Sequence, residues 1–160
     1  RYSRRWTTAG QSARLLSLDG RLMTFTGGAP PNHGADALLW DRSTRAEVRA
    51  ASLFSSNEAL DRLVRVPGCA ILDSERAKRR GATIKRGGAF ADCPALAALT
   101  LVLTDANRNR RFDHVRLVAA HAGAGSYSEG SSDISLPITA TLLAAIKPAY
   151  RASFEVGQPQ

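Results

Sequence analysis

No apolar run in the 160-residue chain approaches the ~18 residues that cross a bilayer, so residues 1–160 hold no membrane-spanning helix. The first six residues, Arg1 to Trp6, lack the apolar core of a signal peptide. Cysteine is scarce: Cys69 and Cys93 stand 24 positions apart, neither within a CxxC pair, and no histidine lies at ligand spacing, which argues against zinc. There is no G-x-S-x-G elbow, and Gly27-Gly28 and Gly87-Gly88 lack the surrounding pattern of a phosphate cradle. Aromatics interleaved with basic residues are confined to Tyr2 and Trp6, too few for a stacking platform, so nucleic acid is an unfavoured partner.

What is present suits one globular domain: 44% hydrophobic and 22% charged residues, with enough chain to bury roughly 70% of its unfolded surface. A chain that does not open on Met reads as a fragment lacking an N-terminal segment. Lys and Arg number 22 against 14 acidic residues, a net charge of +8 that favours acidic partners. The densest basic cluster, Arg76 to Arg80, suits the end of a helix, where cations meet the last carbonyls. The two cysteines suit either a disulfide in an oxidising compartment or two buried thiols in the cytosol; composition leaves both open.

Arg14–Leu18 and Arg21–Phe25 flank Asp19-Gly20, which predicts a hairpin with a type I′ turn. The stretch from Gly27 to Gly34 then breaks regular structure. A second hairpin runs from Ala37–Trp40 into a turn over Asp41–Thr44. Ser55 and Glu58 form a capping box, and Leu60, Leu63, Val64, Pro67 and Ile71 mark one helical face. Pro67-Gly68 should bend that helix, which ends at Gly81. Leu99–Leu103 and His114–Val118 read as paired strands and Ser132–Leu136 as a third; Thr139 caps a short helix stopped by Pro148. Hairpins separated by two helices predict an α+β fold, an antiparallel sheet with two main helices on one face.

Asp105, Asn107, Asn109 and Asp113 occupy positions 1, 3, 5 and 9 of a calcium-type loop. Arg110 stands where glycine is required and Arg116 where a bidentate Glu is required, so any calcium would bind weakly. The same residues suit a polar hairpin loop whose side chains cap their own backbone. His33 and His121 would form a metal or acid–base pair only if they met across the sheet; His114 begins a strand. Tyr127 and Glu129, within Ala122–Ser132, make a candidate recognition loop. The alternative there is Tyr127 packed on the sheet and Glu129 paired with an arginine.

Several ordered blocks carry a family resemblance: Phe25-Thr26-Gly27-Gly28-Ala29-x-Pro31-Asn32, Leu39-Trp40-Asp41, Leu53-Phe54, Asp73-x-Glu75 through Gly81, Cys93-Pro94, and Tyr127-x-Glu129-Gly130 with Leu136-Pro137. Over about residues 12–154 the chain resembles the uncharacterised extracytoplasmic domain shared by RsiV-type anti-sigma factors and PdaC-type peptidoglycan deacetylases, in its stand-alone alphaproteobacterial form. The resemblance implies a periplasmic, secreted or lipoprotein location and a binding or sensing role without catalysis. It also implies a Cys69–Cys93 disulfide, and contacts around Gly27, Gly28 and Asn32. Pro30 stands where the family pattern has histidine, and Pro67-Gly68 interrupts a run that is otherwise helical. Lysozyme, sensed by the anti-sigma branch, is itself strongly basic and would be repelled by a +8 domain; an acidic envelope component or protein suits the charge. The competing class is a cell-wall polymer hydrolase working through Glu129 and an aspartate, which needs carboxylates about 5–10 Å apart in a cleft.

Overall fold

A computed structural model describes residues 1–85, 87, 92–119 and 131–159. Two antiparallel sheets and one long helical run make up the α+β fold. The first sheet orders β1 (Tyr2–Gln11), β2 (Leu15–Thr24), β3 (Asn32–Asp41) and β4 (Ala46–Val48). The second orders β5 (Thr100–Thr104), β6 (His114–Ala119) and β7 (Ser132–Pro137). The helical run comprises α1 (Asn57–Leu60), a π-helical stretch over Asp61–Arg65 and α2 (Val66–Arg80). A five-residue α3 (Ala140–Ala144) precedes a 3₁₀ turn over Pro148–Ser153.

The predicted hairpin at Asp19-Gly20 is not a turn. Both residues lie in the middle of the ten-residue β2, which pairs with β1 on one side and β3 on the other. Packing outweighs turn propensity here. Asp19 is buried between arginines, and Gly20 lies beneath the Trp6 ring, where an added Cβ would stand 2.7 Å from a ring carbon. Sequence reasoning also missed β1 entirely and started β3 five residues late, treating Asn32 to Gly34 as loop. The hairpin over Asp41–Thr44 is present, joining β3 to β4.

One further correction concerns the start of the helix. Its N-cap is Ser56, whose hydroxyl accepts from Ala59 N–H at 3.1 Å, rather than Ser55. Pro67 is accommodated by widening the turn before it: the π stretch bonds Val66 N–H to Asp61 C=O and lets the run continue to Gly81, which closes it at φ 65°. Gly68 permits close approach to the second sheet, since an added Cβ would meet a Leu117 methyl at 2.7 Å. The second sheet thus lies between the helix and the first sheet. Leu117 and Leu136 face α2, while Arg116 and Asp133 face Asp19 and Arg21 of β2.

Leu15, Leu53, Leu60, Val64, Val115, Phe112, Ile138 and Ile146 are fully buried in one core, each contributing about 1.5–3 kcal/mol. Thr139 caps α3 as predicted, accepting from Leu142 N–H at 3.1 Å. Cys69 and Cys93 form a disulfide, with Cα atoms 5.7 Å apart. Beside it the basic helix end holds one surprise: Arg76 is buried, donating to Asp73 at 3.2 Å and to the Asp92 carbonyl at 3.1 Å.

Candidate functional site on the outer sheet face

Strand alternation sorts the first sheet into two faces. Leu15, Ser17, Asp19, Leu39 and Asp41 point into the core and are buried. The opposite face carries Tyr2, Arg4 and Trp6 of β1, Leu16, Leu18, Gly20 and Leu22 of β2, and Gly34, Asp36, Leu38 and Trp40 of β3. Its aromatics are exposed: Tyr2 at 61%, Trp6 at 36% and Trp40 at 38%. At the tip where β1 to β3 end, Phe25 is 41% exposed. There Arg1 and Phe25 exchange both backbone bonds, at 2.5 and 2.7 Å.

The sequence-derived candidates Gly27, Gly28 and Asn32 gather at this tip. Gly27 and Gly28 have φ of 94° and 74°, and no described residue lies within 4 Å of a Cβ built at either, so left-handed backbone rather than crowding selects glycine there. Asn32 opens β3, paired with Thr24. Sequence reasoning noted Tyr2 and Trp6 but missed their partners Arg4, Asp36 and Trp40. The i, i+2 spacing of Tyr2, Arg4 and Trp6 was the available signal. Arg4 pairs with Asp36, and its guanidinium lies 4.6 Å from the Trp6 ring centroid.

Tyr127, Glu129 and His121 lie outside the described residues. His33 sits in β3 near the exposed tip. The candidate metal loop lies at the far end of β1, where Gly10 packs on Asp105. Its oxygens bind its own backbone. Asp105 accepts from Asn109 and Arg110 N–H at 3.2 and 2.8 Å, Asn107 from Asn109 N–H at 3.1 Å, and Asn109 from Arg111 N–H at 3.0 Å. Arg108 and Arg110 adopt φ of 61° and 70°, and Glu155, absent from the sequence prediction, accepts from Asn107 and Asn109 amides at 2.7 and 2.6 Å. Among the described residues no group of three His, Cys, Asp or Glu side chains could hold a metal.

Asp113 is buried. Burial pushes its carboxyl up, but donors from Ala106 and Asn107 N–H and the His114 ring outweigh this and hold it low. His114 presents its second nitrogen to the Gln158 carbonyl at 3.0 Å, pinning the C-terminal segment. Asp41 is also buried and lies well below the ordinary carboxylate range, because Arg14 donates to it and Ser43 adds two hydrogen bonds. Asp19 is shared by Arg21 at 3.0 Å and Arg116 at 2.7 Å. These buried carboxylates each have a cation or histidine beside them and act as fasteners between elements.

A cleft of about 650 Å³ opens beside the helix start, lined by Arg49, Asn57, Glu58, Asp61, Arg62 and Leu96. Two carboxylates face it, but Asp61 is held low by an ion pair with Arg65.

No protein-family model and no curated protein matches the chain. Among solved structures it is similar to a DUF3298 family protein from Pseudomonas aeruginosa PAO1, with a TM-score of 0.66 and 17% identity over 92% of this chain and 62% of that one. It is also similar to a DUF3298 family member from Bacteroides fragilis NCTC 9343, with a TM-score of 0.61 and 13% identity over 95% of this chain and 57% of that one. The chain therefore spans less than two thirds of either neighbour, and the likeness establishes the fold alone.

Proposed function

We propose that this chain is a non-catalytic binding module of the bacterial envelope that takes its ligand on the outer face of the first sheet. One observation carries the reading: Tyr2, Trp6 and Trp40 are exposed on a single face, among half-buried leucines, on a sheet whose other face packs on the core through Leu15, Ser17, Asp19, Leu39 and Asp41 of β2 and β3. Large aromatic side chains left exposed on one sheet face are the kind of apolar surface that marks interaction sites. The excess of positive charge favours acidic envelope material over a basic partner such as lysozyme. A disulfide between Cys69 and Cys93 supports a periplasmic or secreted location, where such bonds persist. The kinship with RsiV-type and PdaC-type proteins belongs to this proposal, resting on the ordered sequence blocks and on neighbours that carry an uncharacterised-domain name.

The test is co-sedimentation of the purified chain with isolated cell-wall sacculi and envelope membranes. Wild-type protein should pellet with one of them, and the Tyr2→Ala/Trp40→Ala double variant should lose most of that binding. Equal binding by both proteins, or none by the wild type, sinks the outer-face reading. The hydrolase alternative has the Glu58–Asp61 cleft as its best support. Polymer cleavage that disappears in Glu58→Gln would establish it.

A further inference from the structure

We infer that the outer edge of β1 is a docking site for an extended acidic peptide segment, which adds to the first sheet as a fifth strand; this rests on the reading of that sheet as the binding surface. Among the described residues β1 is the terminal strand of its sheet, and every residue from Tyr2 to Thr8 is exposed. Arg1 and Phe25 exchange both backbone bonds, so the antiparallel alternation turns Arg1, Ser3, Arg5 and Thr7 toward β2. The N–H and C=O groups of Tyr2, Arg4, Trp6 and Thr8 then point outward. Toward the C-terminal end of β1 the edge is closed: the register shifts between Thr8 and Gly10, and Asp105 N–H bonds to the Ala9 carbonyl at 3.3 Å. Seven residues of edge are left, roughly 23 Å at strand rise.

The long side chains of β1 leave that edge uncovered. Trp6 folds inward over Gly20, and Arg4 reaches across β2 to Asp36 on β3. With Gly20 beneath the Trp6 ring and the Arg4 guanidinium 4.6 Å from its centroid, that ring stays on the outer face, clear of the edge.

Charge selects the occupant. β1 contains no acidic residue, and the side chains of Arg1 and Arg5 form no ion pair with a described residue. Both lie on the face opposite Tyr2, Arg4 and Trp6. An incoming strand would set residues opposite Arg5 in a non-hydrogen-bonded pair, where side chains approach most closely. Acidic residues at alternate positions fit there, and β-branched or aromatic residues fit at the interleaved ones beside Tyr2 and Trp6. A second copy of β1 would instead bring arginines against arginines, as charged edges do to block self-pairing. Strand addition supplies affinity through the main chain and specificity through alternate side chains.

The experiment uses the 160-residue chain, ¹⁵N-labelled, with a capped nine-residue peptide alternating glutamate with valine and tyrosine, and a lysine counterpart. Bound glutamate peptide should slow hydrogen exchange at least tenfold at Tyr2, Arg4, Trp6 and Thr8, leaving Ser3, Arg5 and Thr7 unchanged. Arg1→Glu/Arg5→Glu should weaken that peptide at least tenfold and admit the lysine peptide; Thr8→Pro, which removes one outward N–H, should weaken it without reversing the charge preference. A melting temperature within 2 °C of wild type checks that each variant is folded. Equal binding of both peptides, no binding of either, uniform protection along β1, or protection by self-association without peptide would each overturn the inference. If a chitooligosaccharide quenches Trp6 and Trp40 while neither peptide protects the edge, this inference falls and the outer-face reading stands. If Tyr2→Ala/Trp40→Ala also leaves envelope binding intact, both fall.

Discussion

Asp41→Ala should be among the most damaging single substitutions in the chain, and its cost can be worked from the contacts it removes. The Asp41 side chain is fully buried and accepts from Arg14 Nε at 3.1 and 3.0 Å, Arg14 Nη2 at 2.8 Å, Ser43 N–H at 2.9 Å and Ser43 Oγ at 2.8 Å. Arg14 also donates to the Ala149 carbonyl and stacks on Tyr150, so one carboxylate fastens the β1–β2 turn, β3, the β3–β4 turn and the C-terminal 3₁₀ turn. Breaking a buried pair by removing one member costs about 3–5 kcal/mol. Arg14 is 29% exposed and partly rehydrates, which puts the expected loss near the lower end, about 3 kcal/mol. For a domain of this size that is roughly 6–12 °C in melting temperature. Because the folded carboxyl lies below its ordinary value of about 3.9, its contribution is complete above that value and is lost as pH falls through the depressed folded value. Urea melts of wild type and variant at pH 7, 4 and 2 should therefore show a gap of about 3 kcal/mol that begins to narrow below about pH 4. A gap under about 1 kcal/mol at pH 7 would refute the argument, because buried-pair loss of that size is not expected.

Asp19 offers a separate check: Asp19→Ala should cost about 2–3 kcal/mol, and a double-mutant cycle with Arg116→Met should return at least about 1 kcal/mol of coupling in thermal melts, since the pair joins the two sheets. Reducing the Cys69–Cys93 bond, or Cys69→Ser/Cys93→Ser, should lower stability by about 3.5 kcal/mol in the chain-entropy model for a 24-residue separation, read by urea unfolding with and without reductant. Finding two titratable thiols in freshly isolated native protein would contradict the oxidising compartment. Calcium at 5 mM should stabilise the chain by no more than about 0.4 kcal/mol, the value for a dissociation constant near 5 mM. The Asp105 loop has Arg116 where a bidentate ligand is needed, and a calorimetric affinity tighter than about 0.1 mM would show that reasoning wrong.

Legibility followed the range of the interaction concerned. The β3–β4 turn, the Thr139 cap, the Gly81 stop and strands β5 to β7 were readable because each depends on residues within a few positions. The missed β1 is polar and exposed over most of its length, so no burial alternation marked it; its partner strand defines it. For the candidate site, Gly27, Gly28 and Asn32 were found through the family-like block, whereas Arg4, Asp36 and Trp40 became related only when β1 and β3 took up the two sides of β2.

The amino-acid sequence by itself determined the α+β class, the excess of positive charge, the end of the long helix and the strand pairs of the second sheet, because propensity, capping and alternation act locally. Tertiary structure decided the role of Asp19-Gly20. Turn chemistry there is worth little beside an aspartate buried between Arg21 and Arg116, brought together from 97 residues apart, and a glycine that makes room for Trp6. The same long-range packing turned one sheet face outward and, among the described residues, left β1 as the terminal strand of the first sheet, and neither property is written in any single segment of the chain.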